Sequence, residues 1–182
     1  MPGCFIGVVG PSGAGKDSLI DAARAHFGPD GPIRFVRRCI TRPAEAGGED
    51  HLAVDDETFA RLQAQGAFAL DWAAHGLRYG IPADIGETLS EGRAVLANLS
   101  RGVIDTVRQR FERRRIIVVT ADPSILAERL AGRGRESAAE ISERLARAPY
   151  EMPDGPDVTI VRNNGALIEA ERDFRAALYA AL

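Results

Sequence analysis

The run Gly10, Pro11, Ser12, Gly13, Ala14, Gly15, Lys16, Asp17, Ser18 sets two glycines and a lysine in the spacing G-x-x-x-x-G-K. Backbone N–H groups of such a loop can enclose phosphate oxygens, and the lysine can place a compact charge between the last two phosphates of a nucleotide. Lys16 is the single lysine among 23 basic residues; all the others are arginine. On a surface either cation is solvated, but inside a tight loop a planar guanidinium has the wrong shape, so the retained lysine strengthens the phosphate-loop reading. The alternative is a glycine-rich turn without a ligand. Asp17 stands where a hydroxyl is expected. A carboxylate there can contact Mg²⁺, a hard cation that favours oxygen, or stabilise the first turn of a helix through its dipole.

A second cationic group lies late in the chain. Arg129 and Arg133 are four apart, Arg135 follows on the glycine hinge just after Gly134, and Arg144 and Arg147 are three apart on a further helical pattern. Ser137 and Glu140 have capping-box spacing at its start. A glycine-hinged arginine loop ahead of a short helix, about 132–148, has the makings of a lid, and Arg133, Arg135 and Arg144 could neutralise charge during phosphoryl transfer. The competing reading is a solvated helix pair, with Glu128, Glu136, Glu140 and Glu143 as ion-pair partners.

The elements that must hold these residues are legible as four continuous apolar runs, Cys4 to Val9, Ala94 to Leu99, Ile116 to Thr120 and Val158 to Val161. Continuous rather than alternating runs predict strands covered on both faces, hence parallel and central. Helical patterns follow the first and third, with Asp122-Pro123 as N-cap and first-turn proline of one of them, and Leu167 to Leu182 closes the chain as another. A further strand is expected from about Ile33 to Ile40. This alternation predicts a three-layer α/β domain with a parallel sheet. The stretch of about 41–92 is too long for an ordinary connection. It reads as an inserted acceptor-binding subdomain within one domain whose core is 1–40 and 93–182.

A formal net charge of −3 and a pI near 5.7 give no global basic field, so nucleic acid and anionic membrane are not expected partners. Cys4 and Cys39 do not make a disulfide framework and read as small apolar residues in strands. No secretory leader or membrane-length apolar run is legible, which makes the cytoplasm the expected location. The oligomeric state stays open, a homodimer among the options.

With these residues in place, GPSGAGKDSL, ITRP, DWAAHGLRYG and RLAGRGRESAAEISERLARA together resemble the guanylate-kinase-related group of small P-loop kinases. The resemblance implies that the inserted segment binds a phosphorylated acceptor and that an arginine-bearing lid closes on ATP. Within the group the sequence is most similar to the ribose 1,5-bisphosphate phosphokinases of phosphonate breakdown. Guanylate kinases carry T-R-x-P-R, whereas here Thr41-Arg42-Pro43-Ala44-Glu45 keeps one arginine. Their D-Y pair is Asp50-His51. Their guanine-reading glutamate and hydroxyl are replaced by Asp71 before Trp72 and by Ile81 after Tyr79-Gly80, and their D-I-D by Asn98-Leu99-Ser100, followed by Arg101. A base-reading site that loses polar partners discriminates poorly, so guanine is an unfavourable acceptor.

The resemblance implies ATP and Mg²⁺ as co-substrate and metal, a small phosphorylated sugar as partner, and 5-phosphoribosyl 1-diphosphate as product. Arg38, Arg42, Asp50, His51, Tyr79, Asn98, Ser100 and Arg101 are the acceptor-site candidates. For Asn98 and Arg101, a turn cap and a solvated surface charge are the alternatives. Strand carboxylates are missing, so Asp17 is the candidate Mg²⁺ ligand. No histidine is expected to act as a base. Two rival readings stay open: a guanylate kinase with an altered base pocket, and a guanylate-kinase-like module that binds partners without catalysis.

Overall fold

A computed structural model of the chain describes residues 2–44, 49–132 and 152–182. Five strands form the main sheet: β1 Phe5–Val9, β2 Ile33–Phe35, β7 Ala94–Asn98, β8 Arg114–Thr120 and β9 Val158–Arg162. Their order is β2-β7-β1-β8-β9 and every pairing is parallel. The centre of this sheet explains the unbroken apolar runs. On β1, Ile6 and Val8 point into a cluster with Leu19, Ile20, Leu96, Val119 and Phe174, whereas Phe5 and Val9 point into another with Val95, Ile104, Val107, Ile116 and Val118. Alternate side chains enter opposite faces, so a strand covered twice has no polar position. Each of these four β1 side chains is fully buried, worth about 1.5–3 kcal/mol apiece. Helix α1, Lys16–Phe27, and the C-terminal helix Leu167–Tyr179 cover the first face. Helix α4, Ile104–Arg110, covers the second, as does Ile85 of α3, Ile85–Ser90. The expected α/β architecture with a parallel sheet is therefore present.

A second sheet, ordered β4-β3-β6-β5, is built from β3 Cys39–Ile40, β4 Leu52–Ala53, β5 Phe68–Ala74 and β6 Leu77–Pro82. Strand β3 pairs parallel with β4 and antiparallel with β6, and β5 and β6 form a hairpin closed at His75-Gly76, both with positive φ. Cross-strand pairs put Leu70 opposite Ile81 and Trp72 opposite Tyr79, all on the face turned to the main sheet. The other face packs on α2, Asp56–Ala64, through Phe59 and Phe68, whose rings stack at 4.7 Å. Asp55 caps α2 by accepting from the Thr58 N–H at 2.7 Å, a bond that holds its carboxyl below the ordinary carboxylate range.

Three expectations need correction. The single strand from Ile33 to Ile40 is two strands, β2 in the main sheet and β3 in the second, because residues 36–38 carry the chain from one sheet to the other. Asp122 precedes α5, Pro123–Ala131, but its side chain makes no capping bond; instead its N–H donates to Asn164 Oδ1 at 2.8 Å. The C-terminal helix ends at Tyr179 rather than Leu182. Cys39 lies in β3 and Cys4 just ahead of β1; both are buried free thiols whose pKa burial pushes up. Among the described residues no helix is long and apolar enough to cross a membrane. Glu45, Arg133, Arg135, Ser137, Glu140, Arg144 and Arg147 lie outside the described residues, and with them most of the expected lid.

Candidate active site

The site lies at the carboxyl edge of the parallel sheet, where ligands of open α/β sheets bind. Strand β1 ends at Val9 and the loop Gly10 to Gly15 turns directly into α1. Gly10 has φ 154°, and a Cβ there would come within 2.0 Å of the Val119 carbonyl oxygen. Gly15, at φ 92°, would drive a Cβ to 2.5 Å from Asn163 Nδ2. Only glycine fits both positions. Lys16 Nζ donates to Gly10 O at 2.7 Å and Pro11 O at 3.0 Å, so the loop's own carbonyls hold the ammonium inside its ring.

Asn163, which sequence reasoning missed, locks this loop from behind. It directly follows β9, is 3% exposed, and donates from Nδ2 to Ala14 O at 2.9 Å. Its Oδ1 is buried without a partner among the described residues. The available signal was Asn163-Asn164-Gly165 just beyond the fourth apolar run, at the same sheet edge as the glycine loop.

Asn98 ends β7 opposite Val8, one strand over from the loop. Its Nδ2 donates to Asp17 Oδ1 at 3.1 Å, so the carboxylate after the lysine and the amide at the strand end occupy one place. Both line a cleft that Asp21, Arg24, Glu49 and Asp50 also border. Asp17 fits a hard cation: one oxygen accepts from an amide and the other has no hydrogen-bond partner among the described residues. Among the described residues no three His, Cys, Asp or Glu side chains converge into a metal cage. An Mg²⁺ ion held here would thus take most of its ligands from phosphate and water, as is usual for this ion.

Across the cleft stands the second sheet. Thr41 fixes the end of β3 by accepting from the Arg78 N–H at 2.9 Å. Next to it, the Arg42 Nε is buried with no partner among the described residues, and its Nη2 lies 3.3 Å from His51 Nδ1. His51 is buried and sits against the Arg42 carbonyl at 3.1 Å through Nε2 and the Glu49 carbonyl at 3.0 Å through Nδ1. It pins the backbone that carries Arg42. Asp50 is exposed and pairs with Arg37 at 2.8 Å, which places its carboxylate at the cleft rim. Arg38 is buried against Glu49, with its guanidinium 4.9 Å from the Tyr79 ring centroid and 5.8 Å from that of Trp72. Trp72 and Tyr79 stack at 5.3 Å, and the Trp72 indole N–H donates to Ser100 Oγ at 2.8 Å, joining the second sheet to the end of β7.

Two positions compared with guanine readers face elsewhere. Asp71 is exposed on the α2 side and accepts from Gln63 at 2.6 Å, and Ile81 is fully buried among Phe5, Leu70 and Ile85. Arg101 is exposed in a short 3-10 turn just past β7. His26, bonded to Tyr179 at 2.9 Å, and the exposed turn residue His75 both lie outside this cluster.

No protein-family model matches the chain. Curated proteins do. A ribose 1,5-bisphosphate phosphokinase PhnN of Ruegeria sp. is 51% identical over 180 residues, 98% of this chain and 93% of that protein. The protein of the same name from Brucella melitensis is 45% identical over 172 residues, 94% and 90% of the two chains. The chain belongs to the PhnN family. Among solved structures, a guanylate kinase from Anaplasma phagocytophilum superposes with a TM-score of 0.67 at 20% identity, covering all of this chain and 87% of the other. The PhnN family thus shares its fold with guanylate kinases, as the phosphate loop and the two-sheet arrangement suggest.

Proposed function

We propose that this chain transfers the γ-phosphoryl group of ATP to the 1-phosphate of ribose 1,5-bisphosphate, giving ADP and 5-phosphoribosyl 1-diphosphate. The P–O bond between the β- and γ-phosphates breaks, and a new one forms to an oxygen of the acceptor phosphate. That oxygen belongs to a phosphate monoester with a second pKa of about 6, so no side-chain base is required. Membership in the PhnN family carries the reading. The cleft supports it against guanine, since Asp71 is spent on Gln63 and Ile81 on the core, leaving neither to pair with a base edge.

In this reading the backbone of Gly10 to Ser18 and Lys16 hold the nucleotide phosphates. Arg42 holds the acceptor phosphate, its Nε, without a partner among the described residues, supplying a donor that a phosphate oxygen would satisfy. Asn98, Ser100, Arg101 and the rim residue Asp50 face the sugar, Tyr79 backs it, and His51 positions Arg42. Arg133, Arg135 and Arg144 remain the candidates for compensating charge when the lid closes. Bound Mg²⁺ would neutralise charge developing between the terminal phosphates. Asp17, held by Asn98, is the protein's anionic contact to it.

Two measurements test this. ADP release with ribose 1,5-bisphosphate and with GMP should favour the sugar by at least about 100-fold in kcat/KM, the discrimination expected when a polar base edge finds no partners; efficient turnover of GMP alone would overturn it, and no turnover of either would favour a binding module. Asp17→Ser should raise the Mg²⁺ concentration needed for half-maximal rate by about tenfold, the loss of one charged oxygen contact; an unchanged requirement would assign Asp17 to the helix dipole instead.

A further inference from the structure

We infer that Arg38 is the receptor for the second, non-reacting phosphate of the acceptor and so the residue that makes this site select a sugar bisphosphate. The inference rests on the proposed acceptor and extends it to the far end of that molecule. A bisphosphate needs two cationic sites, and Arg42 serves only one. Two other arginines on or beside the second sheet are otherwise engaged. Arg78 lies over the Phe59 ring on the α2 face, away from the cleft, and Arg37 is tied to Asp50 at the rim. Arg38 alone among these stands on the face of the second sheet turned to the main sheet, between the Trp72–Tyr79 stack and Glu49 on the cleft wall.

Its geometry is that of a half-used fork. Glu49 takes Nε through Oε2 at 3.0 Å and Nη2 through Oε1, which occupies one edge of the guanidinium. The remaining hydrogens of Nη1 and Nη2 have no acceptor among the described residues. A guanidinium is planar and rigid, so fixing one edge aims the other, and that edge matches two phosphate oxygens. The two rings add cation–π contact and remove water from around the charge, which strengthens its interaction with an anion. A guanine O6/N7 edge could also accept from this fork, but without the full negative charge that a phosphate brings to it.

The experiment compares ribose 1,5-bisphosphate with ribose 1-phosphate, which keeps the reacting phosphate and lacks the second. Each is read as kcat/KM, or as an inhibition constant where turnover falls below detection. Arg38→Met should reduce the preference for the bisphosphate by about 100-fold, the value of a charge-assisted bidentate contact. Arg38→Lys, which keeps the charge and loses the fork, should reduce it by about tenfold. A merely structural role would lower both acceptors alike and leave the ratio unchanged; that result overturns the inference. Should Arg38→Met not fold, the ratio for Arg38→Lys decides. If the unaltered protein does not turn over the bisphosphate at all, the proposed function fails; if it does while the ratio is indifferent to Arg38, only this inference fails.

Discussion

Two arginine clusters in this molecule use the same side chains to opposite ends. At the amino edge of the main sheet, Arg108 of α4 and Arg114 of β8 share Asp157, which is 7% exposed. Arg108 gives Nε and Nη2 to that carboxylate at 3.0 and 3.1 Å, and Arg114 adds Nε at 3.3 Å. Further donors go to the Asp154 and Phe111 carbonyls. This cluster is closed. At the carboxyl edge the ratio is reversed: among the described residues Arg38 has Glu49 on one edge only, and the buried Nε of Arg42 has no partner. In a chain whose cations are nearly all arginine, residue type does not tell a brace from a binding group. Unspent donors do.

The comparison breaks if loss of the open cluster unfolds the protein or loss of the closed one abolishes turnover. The largest effect is expected at Arg42. Arg42→Met should lower kcat/KM by about 300-fold, in the range for removing one positioned donor to a reacting group, with little change in melting temperature. Steady-state kinetics and calorimetry on the same preparation check both halves.

Asp157→Asn should do the reverse, costing about 3 kcal/mol of stability by leaving two guanidinium groups short of a counter-ion while kcat of the folded enzyme holds. Its pH dependence has a definite sign. The hydrogen bonds and charge of Arg108, with Arg114 adding to them, keep the Asp157 carboxyl below the ordinary carboxylate range. Its contribution is therefore full above that range and lost as pH falls through the lowered value, so the two melting curves should converge in acid. The smallest effect belongs to the seam between the sheets. Ser100→Ala removes the acceptor of the Trp72 indole and should raise the acceptor KM by about three- to fivefold, the value of one neutral hydrogen bond, with kcat nearly unchanged.

Much of this molecule is legible in the sequence, for identifiable reasons. The glycine loop and Lys16 are readable because phosphate recognition by backbone fixes both spacing and residue type. The central strands are readable because burial on both faces removes every polar position. Asp17 could be paired with Asn98 in sequence only as a question; their hydrogen bond joins positions 81 apart, a relation that local pattern cannot encode. The second sheet was less transparent. Strand β3 has two residues, too few for any periodicity, and it is held by pairing to β4 and β6. Asp71 looked like a degraded base reader, but alternation along β5 turns it to the α2 side while Trp72 faces the cleft. Which arginines are spent and which are open depends on long-range partners.

Trp72 is the only tryptophan in the chain, and it sits on the seam between the two sheets. Its indole lies face to face with a tyrosine, within reach of a guanidinium, and its N–H is committed to a serine on the other sheet. All of the protein's indole emission therefore originates at the seam between the two sheets. The protein carries an internal optical gauge: opening of the seam or a change in the charge around Arg38 registers directly in the colour and intensity of that light, without any label having to be attached.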